Sequence, residues 1–153
     1  VGYHEDMAYK NGPMISPEMF GEFLAPYYRR VQATARPAGV DLHVMDSDGD
    51  IRKLIPLWLE CGVNVFGPLE AAAGMDVVAL RAEYGRAIGM LGGFDKRILA
   101  AGREEIRREL ERLRPVIEGG GYICGCDHGV PPDVPFENYR CFVDGLKAIY
   151  GVR

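Results

Sequence analysis

Short β-forming runs alternate along this chain with amphipathic helical stretches, and that alternation restricts the fold more than any single motif does. The runs fall at residues 1–4, 41–46, 63–66, 87–91 and 122–124. Parallel strands need a crossover connection, and a helix between each pair of runs supplies one, so the pattern predicts successive parallel βαβ units. The helices carry their own start and stop signals. Ser16-Pro17-Glu18 is a cap followed by proline at the first helical position. Behind it Met19, Phe20, Phe23, Leu24, Tyr27, Tyr28 and Val31 recur at spacings of three and four, with Pro26 expected to kink the helix. A second helix is expected near residues 51–61, stopping at Gly62, and a third over 77–84 behind the cap Asp76. A turn of helix at 96–100 precedes a longer one over 103–117. Its charge-laced opening, Arg103 to Leu110, reads as a solvated outer face. The last helix is expected over 136–150.

Parallel strands with helices between them form either an open sheet or part of a barrel. The strand ends decide in favour of the barrel, because they carry acids and histidine in place of a glycine-rich phosphate loop, and barrels keep their working groups at the C-terminal strand ends. The expected fold is therefore α/β, a partial (β/α)8 TIM barrel made of about the last five strands and their helices, as one domain over residues 1–153. An arc of this kind exposes two strand edges and half of a barrel core. Missing strands or a second copy should complete it, so a homo-oligomer is expected if the chain occurs naturally at this length. The opening Val1-Gly2-Tyr3, without Met and inside a structural element, gives the expectation of a cut or incomplete chain.

Composition narrows the function classes. A net charge of −4 and a pI near 5.4 leave no basic footprint for nucleic acid or an anionic membrane. Apolar runs are too short for a spanning helix or signal peptide, and four cysteines do not suggest a disulfide framework. A cytoplasmic protein acting on a small molecule is expected.

Collected in order, the strand ends supply Glu5 and Asp6, Asp46 and Asp48, Glu70, Asp95, and finally Asp127 and His128. Carboxylates about 6 Å apart repel by roughly 3 kcal/mol per pair at an effective dielectric near 20. Convergence on one mouth therefore requires protonation of some members or a cation. Asp46 and Asp48, two apart on an extended chain, face one side. With Glu70 and His128 they form a candidate metal set for zinc or a harder divalent ion. Asp46-Ser47-Asp48-Gly49-Asp50 is not an EF-hand, since Ile51 and Leu57 stand where glycine and glutamate are required. Cys124-Gly125-Cys126 has the wrong spacing for a metal pair and reads as buried small residues. His43, amid apolar neighbours, reads as a satisfied core histidine. Gly119-Gly120-Gly121 reads as a helix C-cap.

Three segments together resemble the uroporphyrinogen decarboxylase superfamily. Asp127-His128-Gly129-Val130-Pro131-Pro132-Asp133 is similar to its Gly-His-Gly turn with following proline and acid. Ile15-Ser16-Pro17-Glu18-Met19-Phe20 with Pro26-Tyr27-Tyr28 resembles its Leu-Ser-Pro-x-x-Phe…Pro-Tyr helix. Leu91-Gly92-Gly93-Phe94-Asp95 resembles its Gly-Gly-Ile-Asp turn. The resemblance implies a (β/α)8 barrel of which this chain is the C-terminal part, and two chemistries. One is metal-free decarboxylation of uroporphyrinogen in porphyrin biosynthesis, with His128 at the histidine of the turn. The other is methyl transfer from a corrinoid, carried by a partner protein, to a thiol at zinc. There Asp46 and Asp48 take the place of the His-x-Cys pair, and His128 lies near the later cysteine.

The leading expectation is the metal-dependent branch, with Asp46, Asp48, Glu70 and His128 as ligands and His128, Glu70 and Asp127 as catalytic groups. The alternatives are the decarboxylase, and an inactive half-barrel that self-associates or binds a partner.

Overall fold

The computed structural model describes residues 1–152, so residue 153, the last of the expected domain, lies outside the described residues. Its main sheet contains five parallel strands, β1 (Gly2–His4), β4 (Val44–Asp46), β5 (Val65–Gly67), β6 (Gly89–Phe94) and β7 (Tyr122–Cys126). They lie side by side in the order β1-β4-β5-β6-β7. A small antiparallel hairpin, β2 (Ala8–Tyr9) and β3 (Gly12–Pro13), stands on the loop after β1, closed by the two-residue turn Lys10-Asn11. The expected arc of a barrel is thus present.

Strand alternation fixes the two faces of the sheet. Met45, Phe66, Met90, Tyr122 and Cys124 are buried and join one apolar core with Phe20, Tyr28, Ile55, Trp58, Leu80, Ile106, Leu113 and Phe142 from the helices. Their neighbours in sequence point the other way, and Ile123 is 66% exposed. That second face is bare and forms a hollow of about 320 Å³ lined by Val44, Gly67, Leu91, Ile123 and Gly125 among others. Parallel sheets are ordinarily covered on both faces, so this is the interior side of a barrel wall.

The helices follow their signals closely. Ser16 caps α1 (Pro17–Met19), accepting from the Met19 amide. The expected kink at Pro26 takes another form. A π-helical turn, Phe20–Leu24, widens the backbone just before α2 (Ala25–Ala35), and Pro26 sits in the first turn of α2, where its missing N–H costs least. The expected helix over 51–61 is shorter. Residues 52–54 form a turn, and Pro56 fixes the opening of α3 (Ile55–Glu60). Asp76 caps α4 (Val77–Tyr84) through the Ala79 amide, as expected. α5 (Lys96–Ala101), α6 (Arg103–Glu118) and α7 (Phe136–Tyr150) complete the outer layer.

At the N-terminal strand ends, Arg81 donates to the carbonyls of Gly85, Gly120 and Gly121, and Arg86 donates to Gly119. This arginine clasp ties the start of β7 to the segment before β6, and uses the glycine run after α6 as its acceptor. His43 is buried, with its ring nitrogens on the Tyr3 hydroxyl and the Val40 carbonyl, so it is the satisfied core histidine expected. Among the described residues, no helix is long and apolar enough to cross a membrane.

Candidate metal centre

Three strand-end loops bring Asp48, Glu70 and His128 together. Each offers one ligand atom, and these atoms lie within 4.8 Å of one another. An ion with ligand bonds of roughly 2.0–2.2 Å holds its donors about 3–4.4 Å apart. Small side-chain adjustments therefore suffice for a divalent cation, and a three-donor set leaves coordination positions open to a substrate. Two carboxylates and an imidazole suit zinc or a harder ion better than a thiophilic one.

Asp48 lies two residues beyond Asp46, the last paired residue of β4. Its amide donates to Asp6 Oδ1 at 3.2 Å, and the next amide, of Gly49, donates to Glu70 Oε2 at 2.9 Å. Gly49 has φ +81°, and a Cβ there would stand 2.7 Å from the Ala8 carbonyl carbon, so only glycine lets the hairpin dock on this loop. Partial burial raises the Asp48 carboxyl above the usual aspartate range, the Glu70 charge raises it further, and His128 opposes the shift.

Glu70 follows Leu69, a buried residue in the left-handed region (φ 60°), an unfavourable conformation for a branched side chain that turns the chain back over the sheet. Its second oxygen is 3.8 Å from Lys96 Nζ, an internal counter-cation. His128 Nε2 is 3.6 Å from Asp48 Oδ2, while Nδ1 accepts from the Gly129 amide at 2.7 Å. In the neutral ring this leaves the proton on Nε2. Ligation through Nε2 therefore requires the half-exposed ring to release Gly129 and carry its proton on Nδ1.

The remaining expected site residues lie elsewhere. Asp46 is in register with His4 across the β1–β4 pair, so the two side chains share a face, and His4 Nδ1 lies 3.4 Å from Asp46 Oδ2. Asp46 thus stands beside the set of three and not within it. Asp50 accepts from Arg52, and Asp95 caps α5 while holding Arg97 in a bidentate pair. Burial pushes the Asp95 carboxyl up, but the Arg97 contacts outweigh it and leave the group below its ordinary value. Asp127 is fully buried. Its oxygens accept the Ala71 and Lys96 amides, each at 3.0 Å, so it does not reach the mouth. Beside the set opens a cavity of about 500 Å³, lined by Asp6, Tyr9, Lys10, Met14, Asp48 and Glu70 among others.

Sequence reasoning missed Lys96, treating it only as a helix start, and missed the hairpin as a wall of the cavity. The turn-forming run Lys10-Asn11-Gly12-Pro13 was the available signal for the hairpin. Lys96 had none, because nothing in the sequence shows which loop acid it meets; it is the adjacency of β5 and β6 in the sheet that brings its Nζ to Glu70.

A parallel strand arc with helices on one side and polar groups gathered at the C-terminal strand ends defines part of a (β/α)-barrel. Residues 5–149 match the family described as Uroporphyrinogen decarboxylase (URO-D), and the chain belongs to that family. Curated uroporphyrinogen decarboxylases are similar to it. One from Thermus thermophilus is 29% identical over 147 residues, covering 88% of this chain and 38% of its own length. The Chlorobaculum tepidum protein is 23% identical, covering 87% of this chain and 38% of its own length. The one from Protochlamydia amoebophila is 35% identical over 108 residues, covering 63% of this chain and 30% of its own length. The chain thus spans about 38% of the length of the first two relatives.

Proposed function

We propose that this chain contributes the metal-binding part of the mouth in a divalent-metal-dependent URO-D family enzyme acting on a small molecule. Asp48, Glu70 and His128 are the ligands in this reading. The observation that carries it is the approach of three donors, from three different strand ends, to within 4.8 Å. Strand ends gather polar groups at the mouth of any barrel; what favours a cation here is two carboxylates held this close to one imidazole, a repulsion that a divalent ion would relieve. A bound ion would supply Lewis acidity and would lower the pKa of a coordinated nucleophile. The associated chemistry is methyl transfer to a thiol, with a corrinoid-carrying partner protein as donor. The oxygen-rich donor set shifts the preferred ion from a thiolate-type zinc site towards zinc with oxygen ligands or a harder ion.

The test is elemental analysis of the purified protein beside His128→Ala and Asp48→Ala. Stoichiometric metal in the parent, lost in both variants, supports the reading, and methyl transfer from methylcobalamin to a thiol is then assayed. Absence of metal after reconstitution with zinc, manganese and cobalt overturns it.

A second reading, uroporphyrinogen decarboxylation, draws support from the names of the curated relatives. His128 would then handle the proton that replaces the lost carboxylate. The acidic mouth opposes it, because a substrate with several carboxylates meets like charge at Asp6, Asp46, Asp48 and Glu70. Turnover of uroporphyrinogen without added metal would establish this reading over the first.

A further inference from the structure

We infer that Asp127 is a positioning residue that sets the separation of the candidate ligands, and that it takes no proton from a substrate. This rests on the reading of Asp48, Glu70 and His128 as ligands. Asp127 is 0% exposed, so no atom of it faces the cavity or the mouth. Its Oδ2 accepts the Ala71 amide and its Oδ1 the Lys96 amide, both at 3.0 Å, and its own amide donates to the Phe94 carbonyl at 2.9 Å. One carboxylate therefore fastens the loop after β7 to the loops after β5 and β6.

The fastened atoms adjoin the candidate ligands. Ala71 follows Glu70, and His128 follows Asp127. Lys96, whose amide is held by the same carboxylate, also places its Nζ 3.8 Å from Glu70 Oε1. Two of the three ligands and the internal counter-cation are thus one residue or less from a bond to Asp127. A buried carboxylate is costly unless charge-assisted hydrogen bonds compensate it, and here both oxygens are taken up by backbone donors. Asparagine keeps the volume but turns an NH2 group towards one of the two N–H donors, so it can hold only one loop.

Three variants of the protein, made at its natural length, test this. Asp127→Asn disrupts the clamp. Ala71→Pro deletes one donor at a position where proline fits, because Glu70 is already extended (φ −61°, ψ 109°) and Ala71 opens a 3-10 turn. Asp76→Ala is the control for general destabilisation, since Asp76 caps α4 and pairs with Arg112. Co2+ is the probe, followed by calorimetry and by its visible absorption bands, and amide exchange is read at Ala71 and Lys96. Asp127→Asn should weaken Co2+ binding about 10–100-fold and alter the bands, with Ala71→Pro giving a smaller loss in the same direction. Asp76→Ala should lower the melting temperature while leaving Co2+ affinity and bands as in the parent.

Equal Co2+ losses in Asp127→Asn and Asp76→Ala would overturn the inference, as would parent-like Co2+ binding in Asp127→Asn. If the parent binds no Co2+, the metal reading fails separately, and amide exchange decides the clamp. Protection of Ala71 and Lys96 in the parent, lost in Asp127→Asn, supports it; rapid exchange of both in the parent sinks it. Should Asp127→Asn not fold, Ala71→Pro carries the same comparison.

Discussion

His128 Nε2 lies 3.6 Å from Asp48 Oδ2, although the strands that deliver them, β7 and β4, are separated in the sheet by β5 and β6. The curvature of a barrel wall and the reach of the loops after β4 and β7 together close that gap. The contact explains why Asp48 feels opposing influences, with burial and Glu70 raising its carboxyl and His128 lowering it.

A stability test with a definite sign follows for Asp48. A carboxyl whose folded pKa lies above its unfolded value holds more protons when folded, so stability falls as pH rises through the window between the two. In metal-free protein, Asp48→Asn should melt at or above the parent temperature at pH 7. The gap should close below about pH 4, where the aspartate is neutral in both states. Saturating metal should reverse the order, because the parent then gains the binding energy. Thermal melts across pH, with chelator and with metal, check both signs.

Gly49→Ala should destabilise the fold by about 1–3 kcal/mol, from a left-handed backbone and a clash with the hairpin. The added methyl would meet Ala8 C, Ala8 O and Tyr9 N at 2.7–2.8 Å, all backbone atoms that cannot step aside. Denaturant midpoints give the energy. Faster amide exchange at Asp50, whose N–H is bonded to the Tyr9 carbonyl, would locate the damage at the hairpin.

Tyr28→Phe should leave the melting temperature unchanged or raise it. The Tyr28 hydroxyl is buried without a hydrogen-bond partner, and removing such a group relieves a desolvation cost of about 1–3 kcal/mol while the ring packing against Tyr3 and Phe20 stays. A clear fall in melting temperature would show that the hydroxyl is satisfied in solution.

Cys124 should resist alkylation in the native protein. Burial pushes its thiol up to about 11, and the side chain faces the helices. Iodoacetamide at pH 8 should modify the half-buried Cys141 first and reach Cys124 only after denaturant is added, as peptide mapping will show.

Much of the architecture was legible because it is written in local chemistry. The cap at Asp76, the Ser16-Pro17 start and the amphipathic span of α7 each depend on neighbours within a few residues, and each formed as read. The loop acids were legible as a group, since strand ends converge in any barrel. Their partition was not. Asp46 and Asp48 look equivalent on an extended chain, yet cross-strand register gives Asp46 to His4, and the loop beyond the last rung of β4 gives Asp48 to His128. Asp127 reads from sequence as one more mouth acid. Its burial follows from the Ala71 and Lys96 amides, which no sequence spacing reveals.

The arginine clasp formed by Arg81 and Arg86 sits at the opposite end of the strands from Asp6, Asp46, Asp48 and Glu70. At the mouth these four acids outnumber Lys10 and Lys96, with Arg97 cancelled by Asp95, so that end keeps a net negative charge while the clasp's guanidinium groups sit at the base. Such a field draws cations towards the acidic end from beyond contact range and slows the approach of anions. Capture of a divalent ion should therefore be fast in dilute buffer, and it should slow as added salt shortens the screening length to about 8 Å at physiological ionic strength.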